Sequence, residues 1–150
     1  MAGRAGTIVR RLLRTQVQCV LATVDPSTRA PATHLMAFGA ASDMSRIFLA
    51  TADQSRKARN MRRSPSVSIL WDDRTGRLAD HKDGALCAAN GTASQLSATA
   101  AEDARRIILD ANPNFSDFLA SPTVALFAVD VESYEVVVGY GAPEQWRPRP

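Results

Sequence analysis

The chain has 150 residues, 45% of them hydrophobic, with 18 Lys and Arg against 15 Asp and Glu for a formal net charge of +3. That length and apolar content suit a single domain over residues 1–150 with a core of ordinary size, and predict no second domain. The excess of base is far smaller than a dedicated nucleic-acid binder carries, and no apolar run has the length of a membrane span or the form of a secretory leader, so the chain reads as cytoplasmic.

Residues 4–16 place Ile8 with Leu12 and Val9 with Leu13 at i,i+4 spacing. This predicts an amphipathic helix whose arginines, Arg4, Arg10, Arg11 and Arg14, form a solvated face. Cys19 to Val24 is a short β-rich run ending in Asp25-Pro26-Ser27-Thr28, which has the composition of a turn. Pro31 opens a second run, A-T-H-L-M-A-F-G, and Ser42 to Ser45 turns the chain into a third, Ile47 to Leu49. Connections this short predict antiparallel pairing. The third run leads through Thr51 and Asp53, either of which suits a helix cap, into a polar helical segment with Ser55, Arg56 and Lys57.

Ser64-Pro65 ends that helix, because the residue before proline is pushed out of the helical region. Val67 to Trp71 is a fourth strand, and residues 71–84 read as a polar surface loop with His81 amid Asp80, Lys82 and Asp83. Ala85 to Gln95 is small and apolar; Asn90-Gly91 within it predicts a bulge or a close backbone approach. Thr99 to Glu102 has a capping-box pattern, followed by Ala104, Ile107, Ile108 and Ala111 at i, i+3, i+4, i+7. Asn112-Pro113 ends this helix, with one or two further helical turns over Asn114 to Leu119. The chain then returns to strand as V-A-L-F-A-V-D-V and, after Glu132-Ser133, as Y-E-V-V-V-G-Y. Both alternating sets of Val124 to Val129 are apolar, so one face fills a core and the other needs cover from a helix or another subunit. Six or seven strands and about three helices predict a mainly β fold, a small antiparallel barrel with peripheral helices.

Cys19 and Cys87 lie in separate apolar runs with no metal-ligand spacing and read as buried free thiols. The stretch from Ile47 to Met61 carries more chemistry. A strand feeding a helix start offers unpartnered N–H groups at the positive end of the helix, and the hydroxyl of Ser55 with the cations of Arg56 and Lys57 turns that end into a phosphate cradle.

Taken together, L-A-T-V-D, P-A-T-H-L-M-A-F, I-F-L-A-T-A-D-Q-S-R-K-A-R-N-M, S-P-S-V-S-I-L-W-D-D-R and N-G-T-A-S-Q-L resemble, in order and spacing, the pyridoxamine 5′-phosphate oxidase-like family of flavin-binding split barrels. The likeness implies a six-stranded Greek-key split β-barrel and a homodimer with FMN in clefts at the subunit interface. It implies that Ser55, Arg56 and Lys57 hold the FMN phosphate, with Thr51 beside the phosphate or ribityl chain. By the same likeness His34, Leu35, Met36 and Ala37 form the strand along the flavin ring, and Asp72, Asp73 and Arg74 fill the place of a polar triplet after the fourth strand.

The chain also departs from that family. The true oxidases have an arginine where this chain has His34 and a lysine where it has Gly39, and their C-terminal W-R…R block has only a loose counterpart in G-Y-G-A-P-E-Q-W-R-P-R-P. A flavoprotein with another substrate follows better than oxidation of pyridoxamine phosphate. Flavin chemistry needs no acid–base pair from the protein, and the sequence offers no triad or paired-carboxylate spacing.

Each residue also has a plainer use. Arg56 and Lys57 suit a solvated helix face, His34 a hydrogen-bonded structural position, and Trp71 and Trp146 core packing rather than a stack on the flavin ring. Three function classes follow: an FMN-dependent oxidoreductase acting on a small molecule; a split barrel that holds FMN, the deazaflavin coenzyme F420 or haem without turnover; and a nucleic-acid module using the basic clusters. The last is disfavoured because few aromatics interleave the arginines.

Overall fold

In the computed structural model, which describes residues 3–149, the β-rich runs form one antiparallel sheet. Its strands are β1 Gln18–Val24, β2 Pro31–Ala37, β3 Gly39–Ala40, β4 Arg46–Ala52, β5 Ser66–Asp72, β6 Ala85–Gln95, β7 Val124–Val138 and β8 Glu144–Trp146. They run in the order β2-β1-β5-β6-β7-β4-β3, with β8 on β7. β2 and β3 lie at the two ends of this path yet are joined through Phe38 alone. The sheet therefore curls until its ends meet, leaving a seam: a split barrel. Six long strands agree with the sequence expectation, and the two- and three-residue β3 and β8 bring the count among the described residues to eight.

The helices are α1 Arg4–Thr15, α2 Arg56–Arg63, α3 Asp80–Asp83, α4 Ala98–Ala111 and α5 Ser116–Ala120, with a 3-10 turn at Pro113–Phe115. Only α1, α2 and α4 exceed two turns, which is why the periodicity predicts three. α3 forms inside the segment expected to be loop, where the Asp80 carboxylate accepts from the backbone N–H groups of Thr75 and Gly76, each at 2.8 Å. α4 is capped by Ser97, whose hydroxyl accepts from Ala100 N–H at 3.4 Å, and Thr99 of the expected capping box lies within the first turn.

Glu132-Ser133 does not end a strand. Asn90 pairs with Ser133 while Gly91 pairs with Val131, so Glu132 is the extra residue of a bulge and β7 continues for 15 residues. Gly91 permits this, since a Cβ there would overlap the Asp130 carbonyl oxygen.

The barrel interior is filled by the inward sides of the strands, among them Leu21, Ile69, Trp71, Phe127 and Tyr134, and is closed by Val9 and Leu12 of α1 and Met61 of α2. Leu126 and Ala128 on the other face of β7 pack with Phe48 against Ala104 and Ile108 of α4. The second cover of that strand is thus a helix. Cys19 and Cys87 are free and buried, with β5 between their strands. Two strand spacings, roughly 9–10 Å, exceed disulfide reach, and burial pushes both thiols up to about 12.

Candidate functional site

The start of α2 brings four of the expected residues together. Ser55, rather than Thr51 or Asp53, is the cap: its Oγ accepts from Ala58 N–H at 3.2 Å and lies 3.0 Å from Thr51 Oγ1 at the end of β4. Asp53 instead pairs with Arg62, at the far end of the helix. The first turn carries Arg56 and Lys57 and no acid. Lys57 has no ion pair among the described residues, and the carboxylate facing Arg56, Asp25, stands off at 4.0 Å. Asp25 is occupied elsewhere: its Oδ1 accepts from the N–H groups of Ser27 and Thr28, which hold its carboxyl below the usual range. Two loosely held cations, a hydroxyl pair and unpartnered helix N–H groups meet here, the chemistry that an anion would need.

His34 adjoins this cluster. Its Nε2 lies 2.9 Å from Thr23 Oγ1, which also accepts from Asn60 Nδ2 at 2.9 Å. The network ties β2 to β1 and α2, and Thr23 and Asn60 are only 1% and 2% exposed. Burial, then the positive charges of Lys57 and Arg56, push the His34 pKa below its ordinary value, so the ring stays neutral near pH 7. Thr23 and Asn60 are absent from the sequence-derived set. The available signal was a polar residue at the inward position of β1 after Cys19 and Leu21, and another on the buried side of α2 between Ala58 and Met61.

Along β2, His34 and Met36 face inward and Leu35 and Ala37 outward, with Leu35 65% exposed. Asp72, Asp73 and Arg74 lie elsewhere. The β1–β5 register sets Ala22 opposite Ser68 and Val20 opposite Leu70, which places Asp72 about 16 Å along the sheet from Thr23. Asp72 accepts from Arg74 Nε at 2.9 Å, and Asp73 from Ala85 N–H at 2.7 Å and Arg11 at 2.8 Å. Within one chain this triplet and the α2 cluster are separate sites. Trp71 is a core residue, edge-on to Phe38 at 5.3 Å, and Trp146 packs on Tyr134 at 5.5 Å. His81 is exposed on α3.

Gly39 has a local cause. A Cβ there would lie 3.0 Å from Ile107 Cγ2 and from Ile108 N, so α4 packs directly on the β3 backbone. The place where the oxidases carry a lysine is covered in this chain by a helix.

Fold and site define a split-barrel protein with a cationic helix start. The sequence model described as pyridoxamine 5′-phosphate oxidase matches residues 8–138, and the chain belongs to that family. No functionally curated protein matches it significantly. Among solved structures it is similar to a heme binding protein from Mycobacterium smegmatis, at 18% identity and a TM-score of 0.84; the match covers 97% of this chain and 59% of that one. It is also similar to HutZ, a heme storage protein from Vibrio cholerae (19% identity, TM-score 0.71, 91% and 95% covered). General Stress Protein 26 from Bacillus anthracis matches at 19% identity and a TM-score of 0.69, over 94% and 96% of the two chains. At these identities the likeness is one of fold. No helix among the described residues is long and apolar enough to cross a membrane.

Proposed function

We propose that this protein binds FMN with its phosphate on Ser55, Arg56 and Lys57, and serves as a flavin-dependent oxidoreductase for a small molecule other than pyridoxamine phosphate. The observation that carries the reading is the pair of cations in the first turn of α2 with no close acid partner. A phosphate monoester bears about −1.5 to −2 charges near neutral pH. Arg56 and Lys57 supply two positive charges, and a neutral His34 adds none, so the cluster matches a phosphate. The arginine fork suits bidentate contact and the Ser55 and Thr51 hydroxyls supply further hydrogen bonds. Bound FMN supplies hydride or one-electron transfer. The chain's task is to hold it: the His34–Thr23–Asn60 network fixes β2, the strand assigned to the ring, relative to α2, the helix assigned to the phosphate. Gly39 under α4 supports a substrate other than the vitamin phosphate, because the chain keeps no room for the oxidases' lysine.

The reading includes a homodimer. Leu35, Val20, Leu70 and Ala88 form one apolar row across β2, β1, β5 and β6 on the outer side of the barrel, and none of the four is buried. A second copy laid on this row would bury it beside β2, where the ring is assigned.

Haem is the second reading, favoured by the two heme proteins among the structural relatives. The absorption spectrum of the purified protein, alone and with added FMN, deazaflavin or haem, separates the cases by band shape. Stoichiometric uptake of FMN is expected, with riboflavin, which lacks the phosphate, bound far more weakly. Uptake of haem with no uptake of FMN would overturn the first reading.

A further inference from the structure

A second opening lies at the other end of β1 and β2 from the phosphate cradle. A cleft of about 930 Å3 runs between α1, α4 and the chain from Phe38 to Ser42. Its size suits a small organic molecule. Its walls are mixed: Leu13 and Ile107 give them an apolar part beside polar Gln16, Ser42 and Asn112, and Val17 is 71% exposed. Three arginines also line it: Arg10 and Arg14, one turn apart on α1, and Arg106 on α4.

Their partners distinguish these arginines from the others on α1. Arg4 and Arg11 pair with Glu144 and Asp73 at 3.8 and 2.8 Å. Arg10 and Arg14 meet no carboxylate among the described residues. Arg106 has only Asp103 of its own helix, at 3.1 Å and largely exposed. Asp110 also lines the cleft and pairs with none of the three. Solvated surface arginines need no such arrangement, and a neutral apolar ligand would make no use of it. Three positive charges against one negative, beside the apolar Leu13 and Ile107, complement a molecule with an apolar body and one anionic end. A guanidinium fork can hold a carboxylate through two parallel hydrogen bonds.

The geometry points to this cleft as a binding site for an organic acid, a carboxylate on an aromatic or aliphatic body. The site shares no residue with the FMN cradle and does not depend on the cofactor reading. Its test is calorimetric titration of the full chain at low salt with 2-naphthoate, its neutral isostere 2-naphthamide and 2-naphthyl phosphate, repeated with Arg10→Gln/Arg14→Gln. Both arginines are exposed, so the variant is expected to fold. Naphthoate should bind wild type at least tenfold tighter than naphthamide, and the double variant should lose that preference while keeping its affinity for naphthamide. Equal binding of the acid and the amide, a preference that survives the double substitution, tighter binding of the phosphate than of the carboxylate, or no binding of any of the three would overturn the inference. FMN titration of the same two proteins separates the readings: failure of wild type to take up FMN removes the cofactor proposal and leaves this one standing.

Discussion

Replacing Gly39 with alanine adds one methyl group where α4 leaves no space. The new Cβ would lie 3.0 Å from Ile107 Cγ2, 3.0 Å from Ile108 N and 3.1 Å from Ile107 C. Two of these three atoms are main chain, which cannot rotate away. The helix is also held: Ile108 and Ala104 are buried against Phe48, Leu126 and Ala128, and Asn112 Nδ2 donates to the Phe38 carbonyl at 2.9 Å. Overpacking of this kind costs about 1–3 kcal/mol. The reduced freedom of the unfolded chain returns about 0.4–1 kcal/mol, so the middles of the two ranges leave a net destabilisation of about 1.3 kcal/mol. Urea denaturation should show a lower midpoint at unchanged slope. Gly39→Lys should be worse than Gly39→Ala and should not create oxidation of pyridoxamine phosphate. A Gly39→Ala protein as stable as wild type would refute the close approach of α4, and with it the steric explanation for the missing lysine.

Thr23→Val keeps the shape of the side chain but removes the oxygen shared by Asn60 and His34; stranding the buried amide should cost about 1–3 kcal/mol in the same urea assay. Lys57→Gln should raise the His34 pKa toward its ordinary value of 6.5, read by NMR titration of the imidazole, because one of the charges lowering it is gone; an unmoved titration would place the ammonium away from the ring. Since that pKa is lowered in the folded protein, the neutral ring contributes stability that is fully present above 6.5 and lost as pH falls through the folded value. Denaturation from pH 7 to pH 5 should therefore show a downward slope that His34→Asn flattens. Tyr134→Phe removes the hydroxyl that donates to the Met44 carbonyl at 2.7 Å inside the barrel and should cost about 1–3 kcal/mol.

Most of the frame was legible from local pattern. Alternation in β1 and β5, the 3.6-residue period of α1 and α4, and the Asn90-Gly91 break each reflect a preference set within a few residues. What escaped depended on neighbours distant in sequence. β7 runs through Glu132-Ser133 because Gly91, some forty residues earlier, lets the strands approach. Ser97 rather than Thr99 caps α4 because the chain enters the helix from β6, where Leu96 N–H still bonds Leu126. Ser55, Arg56 and Lys57 could be singled out as a candidate cluster because strand end, hydroxyl and cations are contiguous. Thr23 and Asn60 offered only a polar residue on an inward face, since their meeting is a tertiary contact that no local pattern specifies. Asp72 to Arg74 illustrates the converse: a polar triplet in the position the family likeness indicates is held, within one chain, at the far end of its strand.

The FMN phosphate is proposed to sit at the start of α2. The most direct test of that claim is the FMN affinity of Arg56→Glu/Lys57→Glu beside wild type and beside Arg10→Glu/Arg14→Glu, which makes the same change in net charge at the other end of the sheet. Two lost charge-assisted hydrogen bonds, at about 1.5–3 kcal/mol each, predict a loss on the order of 100-fold or more for the first variant, with wild-type affinity in the second. Unchanged FMN affinity in Arg56→Glu/Lys57→Glu, or an equal loss in both variants, would contradict the claim.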